Sequence, residues 1–252
     1  MHAVRMVLPC LLVIACCGLA IPAEADGRKF VWTYEAKTMP AGAMELEHYL
    51  TLEANRVAGS FQLDWIHQAE FEFGLTDRWD LGIYQVFKQV DSGSISWDKY
   101  KLRFRGRLSD PGEWPVDPLV YLEWQQGPDG FAFEEKFVLA RRFGDLVMAL
   151  NLSSEQEGGD WGKEWEFKVE AAFALSYEIT KFLALGAEAA YEQKAELEGG
   201  AADWSPAGVF VGPTVSFTWR RFFWNVGGRY QVTAKDAAFP RFEIRSLLGV
   251  TL

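Results

Sequence analysis

The feature that most constrains the fold of this chain is the alternation of apolar and polar residues along most of its length. In KEWEFKVEAAFALSYEI, residues 163–179, every second residue from Trp165 to Ile179 is apolar. Side chains of a β-strand point to opposite faces in turn, so this period of two predicts a strand with one apolar and one wet face. The segment exceeds the about five or six residues of an average strand, and it is long enough to cross a membrane, which takes about 9–11.

The same alternation recurs to the end of the chain and predicts twelve antiparallel strands. They are expected over residues 44–53, 61–73, 79–87, 100–108, 120–125, 131–141, 145–154, 164–179, 182–193, 208–220, 222–233 and 241–252. Most links after even-numbered strands are tight, whereas several after odd-numbered strands are longer and rich in Gly, Asp, Pro or Ser. This asymmetry is typical of outer-membrane barrels. The fold is therefore predicted to be all-β, a single antiparallel up-and-down transmembrane β-barrel over residues 43–252.

A soluble β-sandwich or lipocalin-like barrel is the alternative architecture for this pattern. It would turn its apolar face inward, around one dry core, and its charges outward. Twelve long strands with nearly complete apolar stripes, rich in Phe and Trp, offer more apolar surface than such a core needs. The charged face carries both signs in ordered stripes, as a wet lumen would. Both observations favour the membrane barrel.

The first 25 residues have the pattern of a secretory signal peptide. A positive residue precedes the apolar core of residues 6–20, and Ala23-Glu24-Ala25 has the small-x-small pattern of a cleavage site, so the mature chain is expected to begin near Asp26. An uncleaved membrane anchor is an alternative, although the apolar run is shorter than the about 20 residues of a spanning helix. Residues 26–42 are then expected to form an N-terminal periplasmic segment or a plug of the barrel.

All three cysteines lie in the signal region. Val13-Ile14-Ala15-Cys16 resembles a bacterial lipobox, so lipoprotein processing at Cys16 is a second alternative to ordinary cleavage. A mature chain that begins at Asp26 has no disulfide, no thiol nucleophile and no cysteine metal site.

Catalytic and cofactor motifs are scarce in this sequence. It contains no H-E-x-x-H, no G-x-S-x-G and no Gly-rich phosphate loop. The formal net charge of −10 argues against nucleic-acid binding, which needs a basic face. The sequence therefore predicts no enzyme, no cofactor and no nucleic-acid partner.

Four polar residues fall on the apolar register of their strands and predict an outward polar belt. They are His48, His67, Gln85 and Ser246. If the first link is centred between residues 57 and 58, His48 and His67 are directly opposed. Three interpretations are open: a lipid hydrolase site, for which the outer-membrane phospholipase family is a precedent, a protomer interface, or interfacial residues with no such role. Two histidines without a third ligand are too few for a zinc site.

Charged residues on the other register predict two lumenal stripes. The basic stripe consists of Lys99, Lys101, Arg103, Arg105 and Arg107. The acidic stripe consists of Glu45, Glu47, Asp64, Glu70, Glu72, Glu164, Glu166 and Glu170. Charge that is segregated across a pore produces a transverse field that orients polar solutes. The same charges would instead fill a closed structural barrel if they pair, because twelve strands lie between filled small barrels and open large ones.

The segment FVWTYEAKTMPAGAMELEHYLTLE resembles the start of a group of uncharacterised Gram-negative outer-membrane barrels, whose first strand follows Thr-x-Pro-x-Gly-x-x-Glu-x-Glu. Thr38, Pro40, Gly42, Glu45 and Glu47 match that pattern. FGLTDRWDLGIYQVF is similar to the second hairpin of the same group and of barrels known as phenol meta-pathway transporters. The resemblance implies the outer membrane and transport, and no catalytic residues. Such barrels usually end in an aromatic residue, whereas this chain ends at Leu252.

These observations favour a passive or substrate-selective channel for small polar or anionic solutes. A closed structural or interaction barrel is the second hypothesis, and an outward-facing lipid hydrolase is the third. The expected partners are outer-membrane lipid and lipopolysaccharide, the barrel-assembly machinery, a small-molecule solute and a possible second copy in a homo-oligomer. The expected location is the bacterial outer membrane, after secretion through the inner membrane.

Overall fold

A computed structural model describes residues 27–57, 59–160, 164–198, 201–233 and 239–252. The predicted signal peptide, with Cys16, lies outside these residues. No helix that is long and apolar enough to cross a membrane occurs among them.

The described residues form thirteen β-strands. Their bounds are β1 Met44–Val57, β2 Ser60–Gly74, β3 Trp79–Val90, β4 Ser96–Arg107, β5 Asp117–Gln126, β6 Gly130–Phe143, β7 Leu146–Gly159, β8 Glu164–Thr180, β9 Leu183–Glu198, β10 Ala201–Trp204, β11 Gly208–Trp219, β12 Phe222–Gln231 and β13 Phe242–Thr251. All pairings are antiparallel, and β1 pairs with β13 while β8 pairs with β9, so twelve strands close into a barrel. The predicted fold class is confirmed.

The thirteenth strand, β10, was not predicted. It pairs only with the far end of β9, where Ala202 lies opposite Leu197, and so extends one hairpin beyond the barrel wall. Strands β7 and β9 are longer than expected, because Gly- and Glu-rich stretches that look like loops continue the ladder instead. Pairing with a neighbour overrides the weak strand propensity of these residues.

The barrel has two distinct ends. At the turn end, where β1 begins and β13 finishes, two-residue turns join β6 to β7, β8 to β9 and β11 to β12. At the loop end, β1 is joined to β2 through residues 58 and 59, with Gly59 at a φ of 87°. One link at the loop end is thus as tight as those at the turn end, and the expected asymmetry of the links is weaker than predicted.

The two faces of the wall differ in the way that the alternation indicates. The outer face exposes large apolar side chains such as Leu122, Leu152 and Phe173. The inner face is charged along its length, and toward the turn end it also holds a buried apolar core. That core consists of Phe30, Ala36, Leu119, Tyr121, Val138, Ala140, Val147, Ala149 and Ala174.

Residues 27–42, the N-terminal segment, supply part of this core and lie within the lumen. Near the turn end, Lys29 Nζ lies 3.0 Å from Glu178 Oε1 on β8. The chain then runs toward the loop end, turns back at residues 32–34, and returns to Gly42 at the turn end. The Gly42 N–H donates to the Gly74 carbonyl at 2.8 Å. A Cβ on Gly74 would lie 1.9 Å from the Pro40 carbonyl oxygen, so only glycine permits this close approach.

Candidate functional site

The bend of the N-terminal segment is held by a carboxylate on β9, that of Glu188. Glu188 Oε1 accepts a hydrogen bond from the Val31 N–H at 2.7 Å, and Oε2 accepts from the N–H groups of Trp32 and Thr33 at 3.0 and 2.8 Å. Thr214 Oγ1 donates to Oε1 at 2.7 Å. One buried side chain therefore satisfies three consecutive backbone donors that have no strand partner, as buried backbone groups require.

Asp80 Oδ2 on β3 accepts from the Met39 N–H at 2.9 Å, and three further side chains of the wall bind the backbone of residues 28–34. Asn151 accepts from the Tyr34 N–H at 2.7 Å and donates to the Tyr34 carbonyl at 2.9 Å. Asn225 Nδ2 and Ser216 Oγ both donate to the carbonyl of Arg28, at 2.9 and 2.8 Å. Sequence reasoning missed Glu188 and these three, although each is a polar residue on the lumenal register. Their role depends on where the segment runs.

The five residues of the basic stripe all point into the lumen, and neighbouring strands supply their partners. Arg103 contacts Glu70 and Glu72 on β2, each at 2.7 Å. Arg105 contacts Asp80 on β3 at 2.6 Å and also pairs with Glu72.

The three remaining cations of the stripe flank this pair. Lys101 pairs with Glu123 on β5 at 3.1 Å. Lys99 donates to Gln125 at 3.2 Å, and Arg107 Nε donates to Thr38 Oγ1 of the N-terminal segment at 3.0 Å.

The predicted segregation of charge across the lumen is wrong. Glu70 and Glu72 neutralise the basic stripe from β2, two strands away on the same side of the lumen, while Glu45 accepts from Thr251 Oγ1 at 2.8 Å and Glu47 lies 3.7 Å from Arg28. Asp64 pairs with Lys88 at 3.3 Å.

On the opposite wall, the acidic residues have cations of their own. Glu166 pairs with Lys194 at 2.8 Å, and Glu170 lies 3.9 Å from Lys168. Glu164 is exposed at the loop end. Opposite charges thus alternate along each wall, because close pairing recovers more Coulomb energy than a field across the lumen.

A cavity of about 230 Å³ lies near the middle of the lumen. Trp32 and Tyr34, from the bend of the N-terminal segment, are among the residues that line it. Its cationic lining residues are Arg28, Lys101, Lys136, Lys168, Arg229 and Arg245, and its acidic ones are Glu123, Glu134, Glu155 and Glu170. The cavity is therefore charged with both signs, with aromatic rings in its wall.

Two guanidinium groups lie over the same indole ring in this cavity. The Cζ atoms of Arg229 and Arg245 are 5.2 and 5.5 Å from the ring centre of Trp32. Arg229 is neutralised by Glu192 at 2.7 Å and by Glu243. Arg245 donates from Nε to Thr51 Oγ1 at 2.8 Å, but it forms no ion pair with any carboxylate of the described residues. The Trp32 indole N–H is also buried without an acceptor there.

The polar belt on the outer wall is present, with a register that differs from the prediction. His48 lies opposite Ala69, and His67 lies opposite Leu50, so the two imidazoles are diagonal neighbours. Their ring centres are 5.8 Å apart. The prediction of direct opposition is wrong because Val57 pairs with Ser60, which centres the turn one residue later than assumed.

The other two members of the belt are bound by indole groups of the same wall. Trp97 Nε1 donates to Gln85 Oε1 at 3.0 Å, and Trp224 Nε1 donates to Ser246 Oγ at 2.9 Å. Within the described part of the chain, Ser246 has no hydrogen bond to either histidine. The belt therefore does not assemble the serine–histidine pair that nucleophilic catalysis requires.

A second outward polar group, on β6 and β7, was missed. Glu135 Oε1 accepts from Ser154 Oγ at 2.6 Å and from Gln156 Nε2 at 3.1 Å. The alternation along the strand could have revealed this group. Glu134 and Lys136 point into the lumen, so Glu135 between them points outward. No group of three or more His, Cys, Asp or Glu among the described residues could hold a metal ion.

The closed ring, the apolar outer wall and the charged lumen define a β-barrel of the outer-membrane type. A family model described as a family of unknown function, DUF6662, matches residues 133–247. No curated protein matches the chain.

Solved structures with this fold include the KdgM porin, with a TM-score of 0.57, 8% identity, and coverage of 82% of this chain and 99% of that one. The NanC porin has a TM-score of 0.53 and 7% identity, with coverage of 83% and 99%. The translocator domain of the autotransporter NalP from Neisseria meningitidis has a TM-score of 0.55 and 11% identity, with coverage of 84% and 89%. At such identities the similarity shows the fold alone.

Proposed function

We propose that this protein is a bacterial outer-membrane channel for small polar or anionic solutes, and that residues 27–42 close it in the conformation described above. The observation that carries the proposal is the charged cavity of about 230 Å³, with the N-terminal segment in its wall. A barrel with a purely structural role has no need of a charged, partly unpaired cavity behind a segment of irregular chain.

The preference for anions rests on Arg245. Its guanidinium group lines the cavity and has no carboxylate partner among the described residues, while Arg229 beside it is fully paired. A guanidinium presents donors in a planar fork that matches a carboxylate or phosphate. An anionic solute in the cavity would satisfy Arg245.

The N-terminal segment can leave and re-enter the lumen, because hydrogen bonds hold its backbone there. The segment has no strand or helix of its own, and hydrogen bonds to Glu188, Asn151 and Asn225 hold its backbone. Each such bond contributes modestly and can be replaced by water. Both ends of the segment lie at the turn end, so it can leave the lumen on that side without unthreading.

The proposed location is the bacterial outer membrane. The predicted signal peptide supports secretion through the inner membrane, and the apolar outer wall suits lipid. Lipopolysaccharide and the barrel-assembly machinery are then its expected partners. The resemblance to phenol meta-pathway transporters supports transport in general, without indicating a particular solute.

Conductance across a planar bilayer tests this function. The wild-type protein should be closed most of the time, and Glu188→Ala should open far more often with the same single-channel current. Arg245→Leu in that background should shift the reversal potential toward cations. Glu166→Ala, which breaks one half-exposed lumenal ion pair, is the matched control and should behave as wild type. A Glu188→Ala barrel whose segment is cleaved by protease and which still conducts nothing would refute the channel.

A closed barrel that serves as a structural or interaction protein is the second candidate. The buried core in the turn-end half of the lumen favours it, because Phe30 and Leu119 are fully buried there. The same bilayer experiment separates the two candidates.

We propose no catalytic activity. The lipid hydrolase hypothesis loses its support because Ser246 is bound by Trp224 rather than by a histidine. Hydrolysis of phospholipid vesicles by wild-type protein, abolished in Ser246→Ala, would restore it.

A further inference from the structure

Most of the charged side chains that line the cavity in the lumen neutralise one another. Arg229 and Lys168, for example, share the carboxylate of Glu192, at 2.7 and 3.0 Å. The other lining charges with an ion-pair partner are Arg28, Lys101, Glu123, Glu134, Lys136 and Glu170. In this lining, only Arg245 and Glu155 form no ion pair with a described residue. The cavity therefore has one cation and one carboxylate to offer to a solute.

Arg245 on β13 is fixed in place, but the end of its guanidinium group is free. Its Nε donates to Thr51 Oγ1 at 2.8 Å, and its Cζ lies 5.5 Å from the ring centre of Trp32. Neither Nη1 nor Nη2 donates to any described residue, and the side chain is only half-buried. Two free nitrogens in one plane match the two oxygens of a carboxylate, so Arg245 is suited to bind one.

Glu155 on β7 has an acceptor to offer in the same cavity. Its Oε2 accepts from Gln125 Nε2 at 2.9 Å, whereas Oε1 has no donor in the described part of the chain. The residue is half-buried, like Arg245, and lies in the lining of the cavity. An ionised carboxylate can only accept hydrogen bonds, so Glu155 is suited to bind an ammonium group.

The two unpaired groups lie on opposite walls of the barrel. Between β7 and β13 lie β8, β9, β11 and β12 on one side, and β1 to β6 on the other. Arg245 and Glu155 form no ion pair with each other, and a charge without a partner in a confined lumen is costly. A simple anion would neutralise Arg245 alone. A solute that carries both charges would neutralise both residues at once.

We propose that the cavity binds an ampholyte whose carboxylate and ammonium groups lie at opposite ends of a short chain, as in an ω-amino acid. Its carboxylate binds Arg245 and its ammonium group binds Glu155. The two charges of an α-amino acid are adjacent, so they do not reach two opposite walls at once. The inference rests on the proposed channel, because it names the solute class of the same cavity, but binding is measured separately from conduction.

The test is titration calorimetry on the mature protein in detergent, with δ-aminovalerate as the probe. Norvaline has the same atoms and the same two charges, but its charges are adjacent, and valerate lacks the ammonium group. Because each of them loses one charge-assisted contact, δ-aminovalerate should bind about tenfold more tightly than either. The titrations use wild type and Glu188→Ala, in which the loosened N-terminal segment gives the solute access to the cavity.

Two neutral variants assign the two ends of the solute. Arg245→Gln and Glu155→Gln should each weaken δ-aminovalerate binding by about tenfold. Valerate separates their roles, because its binding should be lost in Arg245→Gln and unchanged in Glu155→Gln. Glu157→Gln is the matched control, since this exposed residue follows Glu155 on the same face of β7 but lies outside the cavity lining, and it should bind as wild type. Heat-modifiable migration on gels shows that each variant is folded.

Three results would overturn the proposal. Valerate could bind as tightly as δ-aminovalerate, which would indicate a plain anion site, or norvaline could do so, which would show that charge separation is irrelevant. The third is the absence of δ-aminovalerate binding in both wild type and Glu188→Ala. None of these results touches the channel, which depends on conductance. A Glu188→Ala barrel that binds δ-aminovalerate but conducts nothing after cleavage of its segment would refute the channel and retain the binding site.

Discussion

The carboxylate of Glu188 on the barrel wall holds the backbone of Val31 in the lumen, with its Oε1 2.7 Å from the Val31 nitrogen. The same side chain accepts from the next two N–H groups, so a single residue restrains the bend of the N-terminal segment. The path of residues 27–42 therefore depends on a few wall side chains that accept or donate to its backbone, together with the core around Phe30.

Substitution of Glu188 should loosen this bend locally. Glu188→Ala removes hydrogen bonds to a charged acceptor, each worth roughly 1.5–3 kcal/mol, so the local opening free energy should fall by about 3 kcal/mol or more. Amide hydrogen exchange at residues 31–33 should then be about a hundredfold faster. In Glu166→Ala, exchange at these amides should not change. Equal protection in both variants would show that the core, and not Glu188, holds the segment.

Substitution of Arg103 should destabilise the barrel without changing ion selectivity. Its side chain is fully buried between Glu70 and Glu72, so Arg103→Met leaves the buried Glu70 carboxylate without its cation, at a cost of about 3–5 kcal/mol. Urea unfolding from lipid vesicles measures this cost. Lys99→Met is the control, because Lys99 is partly exposed and its loss should cost under about 1 kcal/mol. Unchanged stability with altered selectivity would place Arg103 in an open pore.

The wall between β11 and β12 should tolerate no side chain at Gly212. A Cβ there would lie 1.7 Å from the carbonyl oxygen of Gly228, a backbone atom that cannot rotate away. Gly212→Ala should therefore lower the stability by roughly 1–3 kcal/mol, as overpacking does. Gly228→Ala is the matched control, since its Cβ would meet nothing closer than 3.7 Å. Equal unfolding midpoints for the two variants would contradict the close approach.

The indole of Trp224 should contribute stability through its hydrogen bond to Ser246. Trp224→Phe leaves the Ser246 hydroxyl without its donor on the lipid-facing wall, and the loss should be about 1 kcal/mol. Trp219→Phe, at an exposed ring whose N–H has no described acceptor, controls for the loss of the indole itself. The double change Trp224→Phe with Ser246→Ala should recover part of the loss, because no polar group then lacks a partner.

The sequence was enough to predict which side chains point inward and which point outward, because side chains alternate between the two faces along a strand. Lys101 and Arg103 point inward and His48 and Gln85 point outward, as the period of two requires. The same rule applied to Glu135 would have revealed the second outward polar group, on β6 and β7. The end of the β9 hairpin could not be read in this way, because the strand at residues 201–204 exists only through its pairing with β9.

The sequence by itself determined a closed, twelve-stranded barrel with one apolar and one charged face. The alternation of apolar and polar residues is a property of each strand alone, and a sheet in a membrane must close on itself to pair the backbone N–H and C=O groups of its edge strands. The tertiary structure decided which charges meet. Arg103 is neutralised by Glu70 and Glu72 on β2, whereas the sequence indicated carboxylates across the lumen. Pairing depends on the register of the β2–β3 and β3–β4 ladders, and on the path of the N-terminal segment, which distant side chains such as Glu188 hold in the lumen.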